Sequence, residues 1–256
     1  MIHKTAIIDK SAEIDSSVDI GPYVIIGKEV KIKRGVFIGA YSFIEFATIN
    51  ENCKIYQNVC IGTPPQDLKY KNEKTYVIIG NDCIIREFAT IHRASLTEYT
   101  TIGKKCYLMA YSHVAHDCIL GEGVIMANCA SLGGHVQIDD RAVIGGLAAI
   151  HQFCKVGKLA MLGGGTMVTM DVPPFVVACG DRVKLYGLNY VGLKRNEFSK
   201  ETIDNLKYAY KTLFMSKLSL TVALERLENY NIEKKDKEIE YLINFIKSSK
   251  RGICRP

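Results

Sequence analysis

The chain has no tryptophan, six prolines in 256 residues and only 9% aromatic residues. That scarcity excludes a wide core filled by large rings and suits a narrow interior of β-branched and small side chains. Long apolar runs are missing too. The longest, near 142–150, is short and glycine-rich, against the roughly 20 residues a membrane helix needs. A secretory leader is not expected, because Met1-Ile2-His3-Lys4 passes into a regular pattern by Ile8. There is no C-x-x-C pair among the nine cysteines. An odd set of unpaired cysteines predicts free thiols in a reducing, cytoplasmic setting, with Cys53, Cys83, Cys106, Cys118 and Cys129 as small packing residues inside the pattern. Charge of one sign is scarce in the first two thirds: residues 1–170 carry 17 Lys+Arg and 16 Asp+Glu, whereas residues 171–256 carry 16 and 11. The positive excess therefore belongs to the tail. It predicts solvated helix faces or an anionic partner, and no aromatic-basic signature of nucleic-acid binding accompanies it.

What is present is a six-residue beat. Ile8, Ile14, Ile20, Ile26, Ile32, Ile38 and Ile44 are six apart, and Ile49, Ile55, Ile61, Ile79, Ile85 and Ile91 continue it after a slip. From Ile102 the beat runs through Leu108, Val114, Leu120, Met126, Leu132, Ile138, Ile144, Ile150, Val156 and Leu162 to Val168 without a miss. Six matches neither the helical period of 3.6 nor the strand period of 2. It fits a triangular solenoid in which each hexapeptide makes one flat side and one corner, so that three hexapeptides close a coil. The expected architecture is a parallel β-helix of nine to ten coils over 1–170, followed by a linker and a helical domain over 171–256. The prolines of Asp171-Val172-Pro173-Pro174 are expected to stop the sheet register. Beyond them, Ile203, Leu206, Tyr210, Leu213 and Phe214 follow helical spacing after Ser199, Leu220, Ala223, Leu224 and Leu227 after Ser219, and Ile239, Leu242, Ile243 and Ile246 after Asp236.

Two stretches break the beat, near 62–76 and 93–100. A solenoid admits insertions only at its corners, where they often build a binding site. The first carries Gln66, Asp67 and Lys69 close together. Four of the six histidines, His113, His116, His135 and His151, lie within 113–151. One coil above His116 is Gly134 and two coils above is Gln152, so His116, His135 and His151 fall within one residue of a single column beside Asp117. Histidine is the side chain suited to moving protons near neutral pH. Three uses remain open at this point: a metal site, acyl transfer with a histidine base, and a purely structural solenoid. Zinc enzymes with the same repeat, the γ-class carbonic anhydrases, use His-x-x-x-x-His, and the spacing here is His113-x-x-His116, so no metal is expected.

Several motifs taken together resemble the UDP-N-acetylglucosamine 3-O-acyltransferases of lipid A synthesis: Gln66-Asp67-Leu68-Lys69-Tyr70, Ile91-His92-Arg93, His113-Val114-Ala115-His116-Asp117-Cys118, Gly133-Gly134-His135-Val136, His151-Gln152-Phe153, Asp171-Val172-Pro173-Pro174 and Gly192-Leu193-Lys194-Arg195. The likeness covers the whole chain in the family's order. It implies a left-handed β-helix, a homotrimer with active sites between subunits, a 3-hydroxyacyl chain on acyl carrier protein as donor, UDP-N-acetylglucosamine as acceptor, and no cofactor. His116 matches the family's general base, Asp117 the group that orients it, and the Gly134 N–H the oxyanion donor. Gln66, Asp67, Lys69, His113, His135, His151 and Gln152 match substrate contacts, and Asn189 and Arg195 match contacts to the nucleotide half. Gly164 and Arg182 fall where the family sets acyl length, and a glycine there implies a long chain. Arg182 stands where a histidine is frequent, Val191 replaces a glutamate and Asn196 an arginine. A 3-amino analogue of the sugar, another hexapeptide acyltransferase and a non-catalytic scaffold are the alternatives.

Overall fold

The computed structural model describes all 256 residues. Most hexapeptides of the beat form a two-residue strand and a corner, beginning with Ile7–Ile8, Glu13–Ile14 and Asp19–Ile20. These three open the three faces of a prism, here faces one, two and three. Ile7 pairs with Ile25, Glu13 with Lys31 and Asp19 with Phe37, each in parallel and 18 residues along the chain. The faces hold nine, eight and ten strands. The second residue of each two-residue strand is the aliphatic one and points inward along the prism: Ile20, Ile26, Ile32, Ile38 and Ile44 are buried and stack coil on coil. Burying each such side chain stabilises the fold by roughly 1.5–3 kcal/mol, which is why short strands with two ladder residues each persist.

Most corners contain a residue in the left-handed region, and few of these are glycine. Tyr23, Tyr41, Asn52, Asn58, Asp82, Phe88, Tyr111, Asp117, His135, Leu147 and Phe153 all have φ between 56° and 66°. For a non-glycine residue this costs on the order of 1 kcal/mol or more. The parallel ladders on either side offset that cost, so corner positions are free to carry functional side chains.

Both interruptions lie at the corner between faces one and two. The first leaves between strands Cys60–Thr63 and Tyr76–Ile79, and Cys60 pairs with Thr90 rather than with a residue 18 along. The second ends before strand Tyr99–Ile102, two residues earlier than the broken beat predicted. The proline pair does not stop the sheet. Val176–Cys179 still pairs in parallel with Met161–Leu162, and Lys184–Leu188 then turns back antiparallel. Pro173 and Pro174 lie outside the strands, where no ladder N–H is required. Cys53, Cys83, Cys106 and Cys118 are buried as expected, and all nine cysteines are free. Cys129 is not a packing residue: it is exposed on a corner at φ 61°.

Four helices follow: α1 (Tyr190–Arg195), α2 (Lys200–Tyr210), α3 (Leu220–Lys234) and α4 (Lys237–Ser248), with a π turn at Lys211–Met215 after α2. Ser199, Ser219 and Asp236 cap α2, α3 and α4 by accepting from the N–H of Thr202, Val222 and Glu238. Leu206, Ala209, Ala223, Leu227, Ile239 and Leu242 join the same apolar core as the prism. Phe175, fully buried, packs its ring against Phe198 and Tyr241, and Lys158 pairs with Glu238 at 2.8 Å. The helices are thus fastened to the last coils. No helix is long and apolar enough to cross a membrane.

Candidate active site

Strand His113–Val114 of face one leads into the corner that holds His116 and Asp117. At φ 59°, Asp117 turns its carboxylate into the space beneath the second excursion. One oxygen accepts from the N–H of Thr97 (2.7 Å), its hydroxyl (2.6 Å) and the N–H of Leu96 (3.1 Å). The other accepts from the N–H of Ser95 at 3.1 Å and lies 2.7 Å from Nδ1 of His116. Burial pushes this acid upward, but the His116, Thr97 and Ser95 donors outweigh it and hold it well below the usual carboxylate range. An ionised carboxylate can only accept, so the tautomer of neutral His116 that fits here carries its proton on Nδ1 and presents the Nε2 lone pair.

Gly134 lies one coil above. A Cβ there would come within 2.5 Å of Cε1 and 2.6 Å of Nε2 of His116, so the imidazole occupies the space a side chain would need. The Gly134 N–H donates to no acceptor in the protein. His135 follows, its ring edge-on to His116 at 5.2 Å and stacked on Phe153 at 4.5 Å. On face one, His113 Nδ1 is 2.8 Å from Thr90 Oγ1, and its ring meets His92 at 4.9 Å. His92 is 5% exposed, and its Nδ1 has no hydrogen-bond partner. Burial, reinforced by His113 and His116, lowers His92 to about 4. Burial likewise lowers His113, and it lowers His135 despite the opposing pull of Asp117.

Two cavities meet at His116. One, of about 470 Å³, is bordered by Gln66, His92, His113, His151 and Gln152, the other, of about 450 Å³, by Gln66, Asp67, Lys69, His135 and Phe153. The first excursion therefore lies against the histidines, as expected. Asp67 accepts from the Ser95 hydroxyl at 3.0 Å and from the Lys69 N–H at 3.0 Å, which ties the two excursions together. Arg93 clamps the first excursion from below. Its guanidinium donates to Glu45 (2.9 Å), to the Gly62 carbonyl (2.7 Å) and to the Tyr70 hydroxyl (3.0 Å), and it lies 4.6 Å from the Phe46 ring centroid. In the sequence His92 and Arg93 stand only within the Ile91-His92-Arg93 motif of the resemblance. Their place directly after the inward-facing Ile91 was the signal that they enter the corner.

His116, Asp117 and His135 offer ligand atoms within 4.8 Å of one another. They do not fit a metal site, because both Asp117 oxygens are already taken by Ser95, Leu96, Thr97 and His116. Four expected residues are not brought to His116 within the chain. Gly164 follows Met161–Leu162 and so lies on the corner after face three. Arg182 is exposed beyond it. Asn189 is buried and caps α1, accepting from Gly192 N and donating to Leu159 O, so both ends of its amide are occupied. Arg195 is exposed on α1.

Residues 171–254 match the family described as "Udp N-acetylglucosamine O-acyltransferase; Domain 2", and residues 99–134 match the bacterial transferase hexapeptide repeat. A relative from Thermodesulfovibrio yellowstonii, named acyl-[acyl-carrier-protein]–UDP-N-acetylglucosamine O-acyltransferase, is 55% identical over 99% of both chains. The chain belongs to the UDP-N-acetylglucosamine O-acyltransferase family. It is an acyltransferase. Solved structures of the family agree throughout: that from Acinetobacter baumannii is 41% identical with a TM-score of 0.96 over 99% of both chains. The Francisella novicida UDP-N-acetylglucosamine acyltransferase is 36% identical with a TM-score of 0.97, covering all of this chain and 94% of its own.

Proposed function

We propose that this member of the family transfers a 3-hydroxyacyl group from acyl carrier protein to the 3-hydroxyl of UDP-N-acetylglucosamine, the first step of lipid A synthesis, with His116 as general base. The observation that carries the reading is the His116–Asp117 pair, packed on Gly134 where two cavities meet. The sugar hydroxyl oxygen attacks the thioester carbonyl as Nε2 of His116 takes its proton. The carbonyl oxygen becomes an oxyanion, for which the unpartnered Gly134 N–H is a ready donor. The C–S bond then breaks, the imidazolium returns its proton to the departing thiolate, and an ester and a free thiol result. Asp117 stabilises the transient imidazolium and keeps the ring in the useful tautomer. Gln66, Asp67 and Lys69 hold the sugar from the excursion, and His113, His135, His151 and Gln152 position the two reacting groups.

The remaining residues fit an assembly. Gly164 and His116 are on different corners of one prism, so a neighbouring copy that brings its Gly164 corner to His116 would supply the acyl-length residue. A second observation supports a trimer. Tyr23, Tyr41, Phe88, Tyr111 and Leu147 line the corner between faces three and one, all 45–67% exposed. Tyr23 stacks on Tyr41 and Phe88 on Tyr111. Such a ridge of exposed apolar side chains, interrupted by Asn58 and Cys129, suits an interface. The nucleotide contacts of Arg195 and the acyl-length role of Gly164 and Arg182 belong to this reading. Asn189 contributes by setting the start of α1.

The test is turnover of radiolabelled UDP-N-acetylglucosamine with hydroxyacyl carrier protein, beside the 3-amino sugar nucleotide that the Val191 and Asn196 replacements leave in play. His116→Ala is expected to keep its fold and lose on the order of 10²–10⁴ in rate on the hydroxyl acceptor. A variant with near wild-type turnover would remove His116 from the role of base.

A further inference from the structure

A third cavity, of about 500 Å³, adjoins the site and has no part in the mechanism above. His135 and Phe153 form its wall toward His116, and the rest is bordered by Gln137, Lys155, Asp171, Lys250 and Arg251. Lys155 comes from face two. Lys250 and Arg251 come from the last residues of the chain, which fold back from α4 onto the prism. That return is fastened on both sides of the two cations. Before them the Ser249 hydroxyl donates to the Asp171 carboxylate at 2.6 Å. After them Asp171 N donates to Gly252 O at 2.8 Å, and Cys254 N to Asp171 O at 3.0 Å. Arg251 itself donates to the Thr169 carbonyl at 3.1 Å.

The cations of this cavity are not spent on acids. Neither Lys155, Lys250 nor Arg251 forms an ion pair with a carboxylate. The one acid in the wall, Asp171, is 1% exposed, and its two oxygens already accept from the Lys155 N–H and the Ser249 hydroxyl. Three positive groups therefore face one recess with a single, inward-turned negative charge. They sit beside a ring that touches the proposed reaction centre. A recess of this charge on a braced backbone suits a phosphate ester.

We infer that Lys155, Lys250 and Arg251 form a phosphate-binding subsite, which seats a phosphoester carried by one of the two substrates while the reacting groups meet at His116. This rests on the reaction proposed above. Both substrates bring such a group: the donor through the phosphorylated pantetheine arm of its carrier, the acceptor through its diphosphate. The subsite would turn the folded-back tail into part of the substrate channel.

Binding measured by calorimetry, without turnover, separates this inference from the reading of the reaction. Wild type and the double variant Lys155→Gln, Lys250→Gln are titrated with 4′-phosphopantetheine, with pantetheine and with UDP-N-acetylglucosamine. Glutamine keeps most of the lysine stem without its charge, and neither lysine is buried, so the fold is retained. Loss of two charge-assisted contacts is expected to weaken one phosphorylated ligand by on the order of tenfold or more. A shift confined to phosphopantetheine, with pantetheine unchanged, assigns the subsite to the carrier arm. A shift confined to UDP-N-acetylglucosamine assigns it to the acceptor. The control variant Lys207→Gln, Lys211→Gln removes the same charge from an exposed helical surface. If the first variant binds all three ligands like wild type, or if the control produces the same loss, there is no phosphate subsite here.

Discussion

Gly134 and His116 are a single device at the scale of the residue. The base needs the glycine not for backbone freedom but because its ring fills the volume where a Cβ would be. Gly134→Ala is therefore expected to push the His116 ring out of place without unfolding the prism, since the substituted atom meets a side chain and not the ladder. Turnover at saturating substrate should fall by at least tenfold while the thermal midpoint moves by only a few degrees. An alanine variant with unchanged turnover would show that His116 does not need its observed position. His92 makes a different prediction. In the unfolded chain it protonates near 6.5, in the folded protein only near about 4. The unfolded state thus binds the proton more readily, and stability falls as pH drops from about 6.5 towards about 4. At pH 5 this one group costs about 2 kcal/mol. Denaturant titrations at pH 7 and pH 5 should differ less for His92→Gln than for wild type, by about that amount. An equal difference in both proteins would mean that His92 does not titrate as a buried neutral ring.

At the scale of the element, the solenoid supplies a rigid corner and the excursions supply chemistry. Asp117 belongs to both, since one carboxylate folds 95–97 and aligns His116. Arg93 does the same for 62–76 through Glu45, Gly62 and Tyr70. Lysine at this position keeps the charge, but its single ammonium nitrogen cannot span Glu45, Gly62 and Tyr70 as the planar guanidinium fork does. Arg93→Lys is expected to cost on the order of 2 kcal/mol of stability. It should also speed amide exchange within 62–76 and raise the KM for UDP-N-acetylglucosamine several-fold while the donor KM stays put. Unchanged exchange in 62–76 would show that the excursion is held by something other than this clamp.

At the scale of the whole molecule, the proposed trimer makes the ridge of Tyr23, Tyr41, Phe88, Tyr111 and Leu147 the difference between a folded chain and a complete enzyme. Its side chains point away from the core, so charge there spares the prism and strikes only association. Tyr41→Glu with Tyr111→Glu is expected to lower the solution mass from three chains to one, by sedimentation, with the circular dichroism spectrum retained and turnover lost. A double variant that keeps the wild-type mass, or a single chain with full activity, would count against shared active sites.

The hexad determined the prism from sequence alone, because one inward residue per six is a covalent fact that the stack of coils repeats without long-range choice. Ser199, Ser219 and Asp236 likewise announced three helix starts, since a cap acts within three residues of itself. The resemblance carried His116, Asp117 and Gly134 to a shared corner, and 18 residues per coil was enough to stack Gly134 over His116. Other features depended on distance in space. The prolines read as a stop, yet Val176–Cys179 found a ladder in Met161–Leu162, because a corner needs no donor. Cys129 reads as core but lies on a corner, because it stands three residues before Leu132, in the left-handed turn position, whereas Cys53, Cys83, Cys106 and Cys118 stand two before their hexad residues, in the buried slot. Asn189, expected at the nucleotide half by resemblance, is also the buried cap of α1, which its spacing does not announce. The uncommitted nitrogen of His92, the three-way grip of Arg93 and the basic recess under the returning tail have no local signature. Each is made by segments tens of residues apart, and only their packing decided which polar groups were satisfied and which were left facing a cavity.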